Sequence, residues 1–465
     1  MTLSSRRTFL SECAGGIGAL ALWNLLARDG YAAAKGPHFE PTAKSVIFLF
    51  MEGGPSQVDL FDPKPELQKW NGQSLPESMR QGLRFAFIKP TAKIWASNRP
   101  FRPHGQSGTE MSDWLPHLSK CADDLCVVRS MYSEQFNHHP GQLLMHCGSA
   151  LVGRPSMGSW LLYGLGSESQ DLPGFVVLQS GPRGGSSSAG LFSSGFLPSQ
   201  YQGVPFAGTG EPIAYLSSAP GVDAKEQRAR LDAIRALNQH HLARTGDAEI
   251  EARIASYELA FRMQSAAPEL LDLAKENAET LSLYGADREP TQQFAKNCIL
   301  ARRMVERGVR CVVVMHSTWD DHSSLVSGHT KNCEITDQPS AALIQDLKRR
   351  GLLDQTLVVW GGEFGRTPLA QTLNPGQESA LGRDHHPDAF TMWLAGGGIK
   401  PGTVVGRTDD LGMKVVEDRV HVHDLHATML HCLGVDHKQL TFRHQGRDFR
   451  LTDVAGNVIR KMLRA

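Results

Sequence analysis

The segment from Thr356 to Val404 constrains the chain most. TLVVW (356–360) is apolar after its first residue, AFTMWLA (389–395) is almost wholly apolar, and each run leads into glycine. Runs of this length that are apolar at every position leave no face for water and read as strands buried on both sides, here taken as parallel. Val46–Met51, Leu125–Arg129, Phe175–Gln179 and Val309–Met315 read the same way. Segments with helical spacing lie between them, and strand alternating with helix predicts an α/β fold whose parallel sheet is covered on both faces. Ligands of such sheets gather outside the carboxyl ends of the strands.

Several residues at the ends of these runs carry chemistry. Glu52 follows the first run, Glu363 follows TLVVWGG, Asp320 and His322 follow VRCVVVM, and Asp384-His385-His386 precede the run at 389. Carboxylates and imidazoles gathered at one rim are a donor set for a divalent ion. The Asp-x-His pair is the most specific part, because a tight loop can bring both groups to one ion. Plainer readings exist: Glu363 can pair with Arg366, and two histidines before Pro387 can form a solvated turn. His138-His139-Pro140 stand where a helix begins, and there they can bind a metal or an oxyanion, or cap and pack. Asp59 and Asp62 read as turn caps or ligands. In VHVHDLHATMLHCLGV, Leu425, Met429 and Leu433 share one helical face, which assigns His421, His423, His426 and His431 structural roles.

The 48 basic and 48 acidic residues balance. That excludes the basic excess expected of a nucleic-acid or anionic-membrane partner. SRRTFL at 5–10, the apolar stretch Cys13–Leu26 and Ala32-Ala33-Ala34 together read as a twin-arginine signal over residues 1–34. Residues 35–465 are then expected as a single exported domain, periplasmic or secreted, with no further segment apolar enough to span a bilayer. Cys121, Cys126, Cys147, Cys298, Cys311, Cys333 and Cys432 are scattered, which fits neither a disulfide framework nor a zinc knuckle. From about 223 to 285 the composition turns to Ala, Leu, Glu, Arg and Gln, with Ile250, Ile254, Tyr257 and Phe261 at helical spacing, and a helical insertion is predicted there. Residues 72–108 read as surface loops, 181–190 as a flexible loop, and Asp337 as the cap of a helix ending at Arg350.

AFTMWLAGGGIKPGTVV, VHVHDLHATMLHCLGV and TLVVWGGEFG resemble stretches of the alkaline phosphatase and sulfatase superfamily. Within it, the leader, FMEGGPSQVDLFDPKP, WDDH, GGEFGRTP and the DHH segment resemble the exported bacterial family called domain of unknown function 1501. The resemblance covers nearly the whole mature chain. It implies an alkaline-phosphatase/sulfatase-like three-layer sandwich with a mostly parallel sheet, and metal-dependent hydrolysis of phosphate or sulfate esters on a small molecule or polysaccharide. It places metal ligands at Glu52, Asp320, His322, Glu363 and His385, for one or two ions. Mixed oxygen and imidazole donors suit zinc or manganese better than calcium.

Two departures matter. The superfamily's Asp-His pair falls on Glu363-Phe364, and Phe364 cannot bind metal. Where a sulfatase has its nucleophile and arginine, this chain has His138-His139-Pro140-Gly141-Gln142. Either a metal-bound hydroxide attacks the ester directly or His138 is the nucleophile, and in both cases His139 or His386 orients or protonates the leaving group. The competing reading is a non-catalytic exported binding or scaffold protein that keeps the fold.

Overall fold

The computed structural model describes residues 36–80, 85–89, 91–181, 189–206, 221–371 and 380–464. The leader and most of the loop at 181–190 lie outside the described residues. The strands, in chain order, are β1 (Ser45–Met51), β2 (Leu125–Tyr132), β3 (Phe175–Ser180), β4 (Val204–Phe206), β5 (Cys311–His316), β6 (Thr356–Gly361), β7 (Gly365–Gln371), β8 (Gly382–His386), β9 (Phe390–Ala395), β10 (Thr403–Val405) and β11 (Val420–His421). The central sheet runs β10-β2-β9-β6-β1-β5-β3-β4, with β11 also beside β2. The antiparallel pair β7 and β8 stands apart from it.

Every residue of β1, β5, β6 and β9 is buried. Alternation along a strand then sends side chains into two different cores. Ile47, Leu49, Met51, Val312, Val314 and Val358 point to one face, where they meet α6 (Gln292–Glu306) and α7 (Leu325–Arg349). Val46, Phe48, Phe50, Val313, Met315 and Val359 point to the other, packed with α1 (His138–Cys147), α2 (Met157–Leu165) and α8 (Val422–Cys432). The result is a three-layer α/β sandwich. Each such side chain contributes about 1.5–3 kcal/mol on leaving water, so the sheet position is set by a double-sided hydrophobic constraint.

The remaining helices, α3 (Ala224–Thr245), α4 (Ala248–Leu271) and α5 (Ala278–Tyr284), occupy the Ala- and Glu-rich region. Asp223 and Asp247 accept from the Glu226 and Glu249 N–H groups, and Gly246 ends α3 at φ 67°. Among the described residues α3 buries none. It is held against α4 in part by Arg228, which pairs with Glu258 at 2.8 Å. Met263, Ala267 and Leu270 of α4 join the core beneath.

Three local readings are corrected. First, the run at 389–395 is antiparallel to both neighbours, β6 and β2, and is the one strand of the sheet that runs against the rest. Had β9 been parallel, its leading residues would have lain at the opposite edge from Glu363. Reversed, it starts at the rim where β1, β5 and β6 end. Second, residues 101–112 form a hairpin, Phe101–His104 with Thr109–Ser112, in a region read as loops. Third, Asp337 lies inside α7, which begins at Leu325 and carries Pro339 in its interior. Its carboxylate instead caps a different segment, accepting from the His117 and Leu118 N–H groups at 2.8 Å each.

Asp337→Ala leaves two buried N–H groups without an acceptor, a loss of about 2 kcal/mol or more, read by urea denaturation. Burial pushes Asp337 up to about 7, against the two N–H groups that favour its charged form. The native chain therefore keeps a proton that the unfolded chain releases near 3.8. This contribution is full below pH about 4 and is lost as pH rises through 7. The stability gap between wild type and Asp337→Ala should narrow between pH 5 and pH 8.

Candidate metal centre

Four loops or strand starts meet at the rim. β1 exits through Glu52-Gly53-Gly54, β5 through Ser317–His322, β6 through Gly362-Glu363-Phe364, and β8 enters β9 through His385. They pass so closely that side chains are excluded at some points. A Cβ on Gly53, whose φ is 113°, would lie 2.5 Å from the Asp320 backbone nitrogen, and one on Gly382 would lie 2.0 Å from the His322 carbonyl carbon. Arg366, fully buried on β7, fastens the loops together. Its guanidinium donates to the Gly54 carbonyl at 3.0 Å, the Arg383 carbonyl at 3.0 Å, the Gly53 carbonyl, and Asp320 Oδ1 at 2.6 Å.

Within this frame His138, Asp320, His322 and His385 converge, with one donor atom from each lying within 4.8 Å of all the others. His322 Nε2 and His385 Nε2 stand 3.0 and 3.2 Å from Asp320 Oδ1, and His138 Nε2 stands 3.1 Å from Oδ2. The far side of each ring is anchored. His385 Nδ1 donates to the Phe136 carbonyl at 2.7 Å, His322 Nδ1 to Gln371 Oε1 at 2.7 Å, and His138 Nδ1 to Glu363 Oε1 at 2.7 Å. Oxygen acceptors on all three Nδ1 atoms fix the tautomer and aim every Nε2 lone pair inward, the arrangement that orients imidazoles toward a cation.

A proton alone satisfies this arrangement poorly. His322 Nε2 and His385 Nε2 are 2.9 Å apart and can share only one, and both compete with His138 Nε2 for the carboxylate of Asp320. Burial opposes charging His138, but its hydrogen bonds to Asp320 and Glu363 outweigh that and raise it to about 9. Burial lowers His385 to about 4, only partly offset by Asp320. Burial would raise Asp320, yet the three histidines and Arg366 hold it well below the usual carboxylate range. Three imidazoles and a carboxylate that converge on one point are a donor set from which a divalent cation would displace the shared protons.

The structure brings Asp320, His322, His385 and His138 together from the residues singled out in the sequence. Glu363 lies one layer behind, fully buried and bonded to His138 and to the Gly53 N–H at 3.1 Å. Glu52 is buried beside it, and Gln142 Nε2 reaches both, at 3.4 Å from Glu52 and 3.3 Å from Glu363. His386 alternates away from its neighbour on β8, and its Nε2 donates to the Gly412 carbonyl at 3.1 Å. His139 is exposed at the start of α1. Asp59 is the buried partner of Arg383 at 2.8 Å, and Asp62 pairs with Lys64 at 2.9 Å. The histidines around α8 have structural partners: His423 and His426 donate to the Gly148 and Met145 carbonyls, His421 is the N-cap, and His431 Nε2 accepts from Arg460 at 3.2 Å.

Other participants carry no sequence signal. Gln371, Arg366 and the Phe136 carbonyl act only through the tertiary arrangement. Phe364 packs on His385 and His138 at ring distances of 4.4 and 5.1 Å, and Phe87 stands edge-on to His322 and His385 at 5.4 and 5.3 Å. Thr318 is held at φ 88°, a strained value for a β-branched residue. Asn332 of α7 clamps it from both ends, accepting from Thr318 Oγ1 at 2.8 Å and donating to its carbonyl at 2.7 Å. This turn sets the path to Asp320.

A protein-family model matches residues 43–463. The chain belongs to the family described as Protein of unknown function (DUF1501). No curated protein matches the sequence. Solved structures to which this DUF1501 chain is similar include the lipoteichoic acid synthase LtaP from Listeria monocytogenes, with TM-score 0.35, 11% identity, and coverage of 91% of this chain and 76% of that one. They include the PsFucS1 sulfatase from Pseudoalteromonas sp., with TM-score 0.35, 12% identity, and coverage of 90% and 71%. The alkaline phosphatase from the Antarctic bacterium TAB5 has TM-score 0.31, 11% identity, and coverage of 80% and 94%. Among the described residues no helix is long and apolar enough to cross a membrane.

Asn332→Ala releases the turn that leads to Asp320 and should weaken any uptake of a divalent ion by the cluster roughly ten-fold, the scale of effect seen when a donor loses its support, measured by competition with a chromophoric chelator. Thr318→Gly in the same background should recover part of that loss, since glycine tolerates the turn unaided.

Proposed function

We propose that this chain is an exported, metal-dependent hydrolase of phosphate or sulfate esters, with one divalent ion held by His138, Asp320, His322 and His385. The observation that supports the reading is the triple anchoring of imidazole Nδ1 atoms with all three Nε2 atoms facing one carboxylate. Three nitrogens and a carboxylate oxygen suit zinc first and manganese next, and do not suit calcium, which prefers six or more oxygens. A single ion is favoured because the phenyl ring of Phe364 packs where a second imidazole would have to stand, and Arg366 and Gln142 occupy the space around the remaining carboxylates.

An ion bound here would supply Lewis-acid polarisation of the ester and a water of lowered pKa. The chain's own groups supply the rest. Glu363 keeps the His138 proton on Nδ1, so His138 acts as a ligand in this reading and not as the nucleophile. Arg366 fixes Asp320 and adds positive charge beneath a dianionic group. The amino end of α1, whose first residue is His138, favours an anion through its helix dipole. His139, exposed at the same helix start, is assigned the proton transfer to a leaving oxygen. Glu52 and Glu363 support the cluster through Gln142 and His138, and His386 holds the Gly412 segment. Asp320, with 42% of its side chain exposed against 2% for His385, marks the open side of the cluster.

The second reading, an exported protein that binds its ligand without turnover, is favoured by one fact. The position where the resemblance expects a Ser or Cys nucleophile is His138, which is drawn into the donor cluster.

Elemental analysis of the purified protein should give about one zinc or manganese per chain, reduced in Asp320→Ala and His385→Ala. Hydrolysis of 4-nitrophenyl phosphate or sulfate should fall at least a hundred-fold in Asp320→Ala, on the order of 3 kcal/mol of barrier, and no more than a few-fold in His386→Ala. Metal-loaded protein that turns over no ester in a broad panel would decide for the binding reading. Precursor processing that persists after Arg6→Lys and Arg7→Lys exchange would remove the twin-arginine assignment.

A further inference from the structure

A polar cavity of about 760 Å³ opens near the end of β2. Its lining includes Tyr132, His421, Asp424, Lys438, Arg450 and Asn457. Tyr132 is the last residue of β2 and pairs in register with His421 of β11, so the cavity lies at the same sheet rim as the donor cluster. The two are joined by a short stretch of chain. Glu134 accepts from His421 Nε2 at 2.8 Å, and two residues later the Phe136 carbonyl accepts from His385 Nδ1. The Cα atoms of Glu134 and Phe136 can be no more than about 7 Å apart.

The charges of the cavity are unevenly settled. Asp424 is satisfied by the His421 N–H at 2.9 Å and by the Asn457 N–H and side-chain amide at 2.7 and 3.2 Å. Among the described residues the Arg450 guanidinium donates to the Asp453 and Ala455 carbonyls and makes no ion pair. Lys438 is exposed and, among the described residues, its ammonium makes no ion pair. Lys438 and Arg450, at one concave surface on the sheet rim that also carries the donor cluster, present cationic donors suited to an oxyanion.

We infer that Lys438 and Arg450 form a subsite for a second sulfate, phosphate or carboxylate on the same substrate, so that the substrate is polyanionic, as a multiply sulfated or phosphorylated sugar is. This rests on the hydrolase reading for its kinetic consequence but not for its binding consequence. In the metal-loaded protein, Lys438→Ala/Arg450→Ala should raise KM at least five-fold for a disulfated disaccharide or for fructose 1,6-bisphosphate. For 4-nitrophenyl sulfate and 4-nitrophenyl phosphate KM should change less than two-fold, with kcat kept throughout. The sulfated and phosphorylated arms distinguish the two sources of the anion. Equal KM changes for mono- and polyanionic esters would overturn the subsite. Calorimetric titration of the disulfated disaccharide into wild type and into the double variant is independent of turnover. Five-fold weaker binding in the variant supports the subsite even if no ester is hydrolysed, a result that overturns the hydrolase reading alone. Equal affinity overturns the subsite. Lys438→Glu, which alters only an exposed side chain, should weaken binding further with an unchanged melting temperature.

Discussion

The arrangement at the rim depends on one buried guanidinium. Arg366 has no exposure to solvent, and a charge in that position is tolerated only when its donors are met. They are met by carbonyls from the loop after β1 and from the strand before His385, and by the carboxylate of Asp320. Remove it and three segments lose their common tie at once, and Asp320 loses the cation that fixes its orientation. The double-sided hydrophobic sheet brings these segments within reach of one another. Arg366 sets their distances to tenths of an ångström, which hydrophobic packing does not specify by itself. Its counterpart on the other side, the Arg383–Asp59 pair, secures β8 in the same way against the helical turn after β1.

The reversal of β9 is the second determinant. A sheet made only of parallel strands can present to its rim only the residues just past a strand's carboxyl end. By running one strand backwards the fold adds residues that lead into a strand, and His385 enters the cluster by that route. The same reversal explains why β8 is buried although its sequence is polar. Arg383, Asp384, His385 and His386 each have a fixed partner, Asp384 accepting from the Ala86, Phe87 and Ile88 N–H groups and thereby holding Phe87 over two of the imidazoles.

Much of this could be read from the chain alone, and the parts that could not have a common cause. The apolar runs announced their strands because burial on both faces demands uniform hydrophobicity, and Asp320, His322 and His385 stood out because they flank such runs. His138 was visible only as a residue at a helix start. Nothing in its neighbourhood says that its Nδ1 will meet Glu363, which lies 225 positions away. Glu52 and Glu363, read as ligands from their strand-end places, sit behind the histidines, because a strand end gives depth along the sheet but not distance across it. Strand direction escaped detection since an apolar run reads equally well both ways, and Asp337 misled because an aspartate suited to capping serves the segment at His117 and Leu118 from inside α7.

The anchoring of the imidazoles also bears on how the chain answers to scarcity. Each ring is held from behind by a protein oxygen, so an ion placed there would meet donors that the chain itself orders, at little further cost in chain order. In a zinc finger the metal is the fold's keystone, and chelation unravels it. Here the sheet and Arg366 carry that duty. An ion at the proposed site would therefore be exchangeable without unfolding, and its occupancy would follow the metal content of the surroundings.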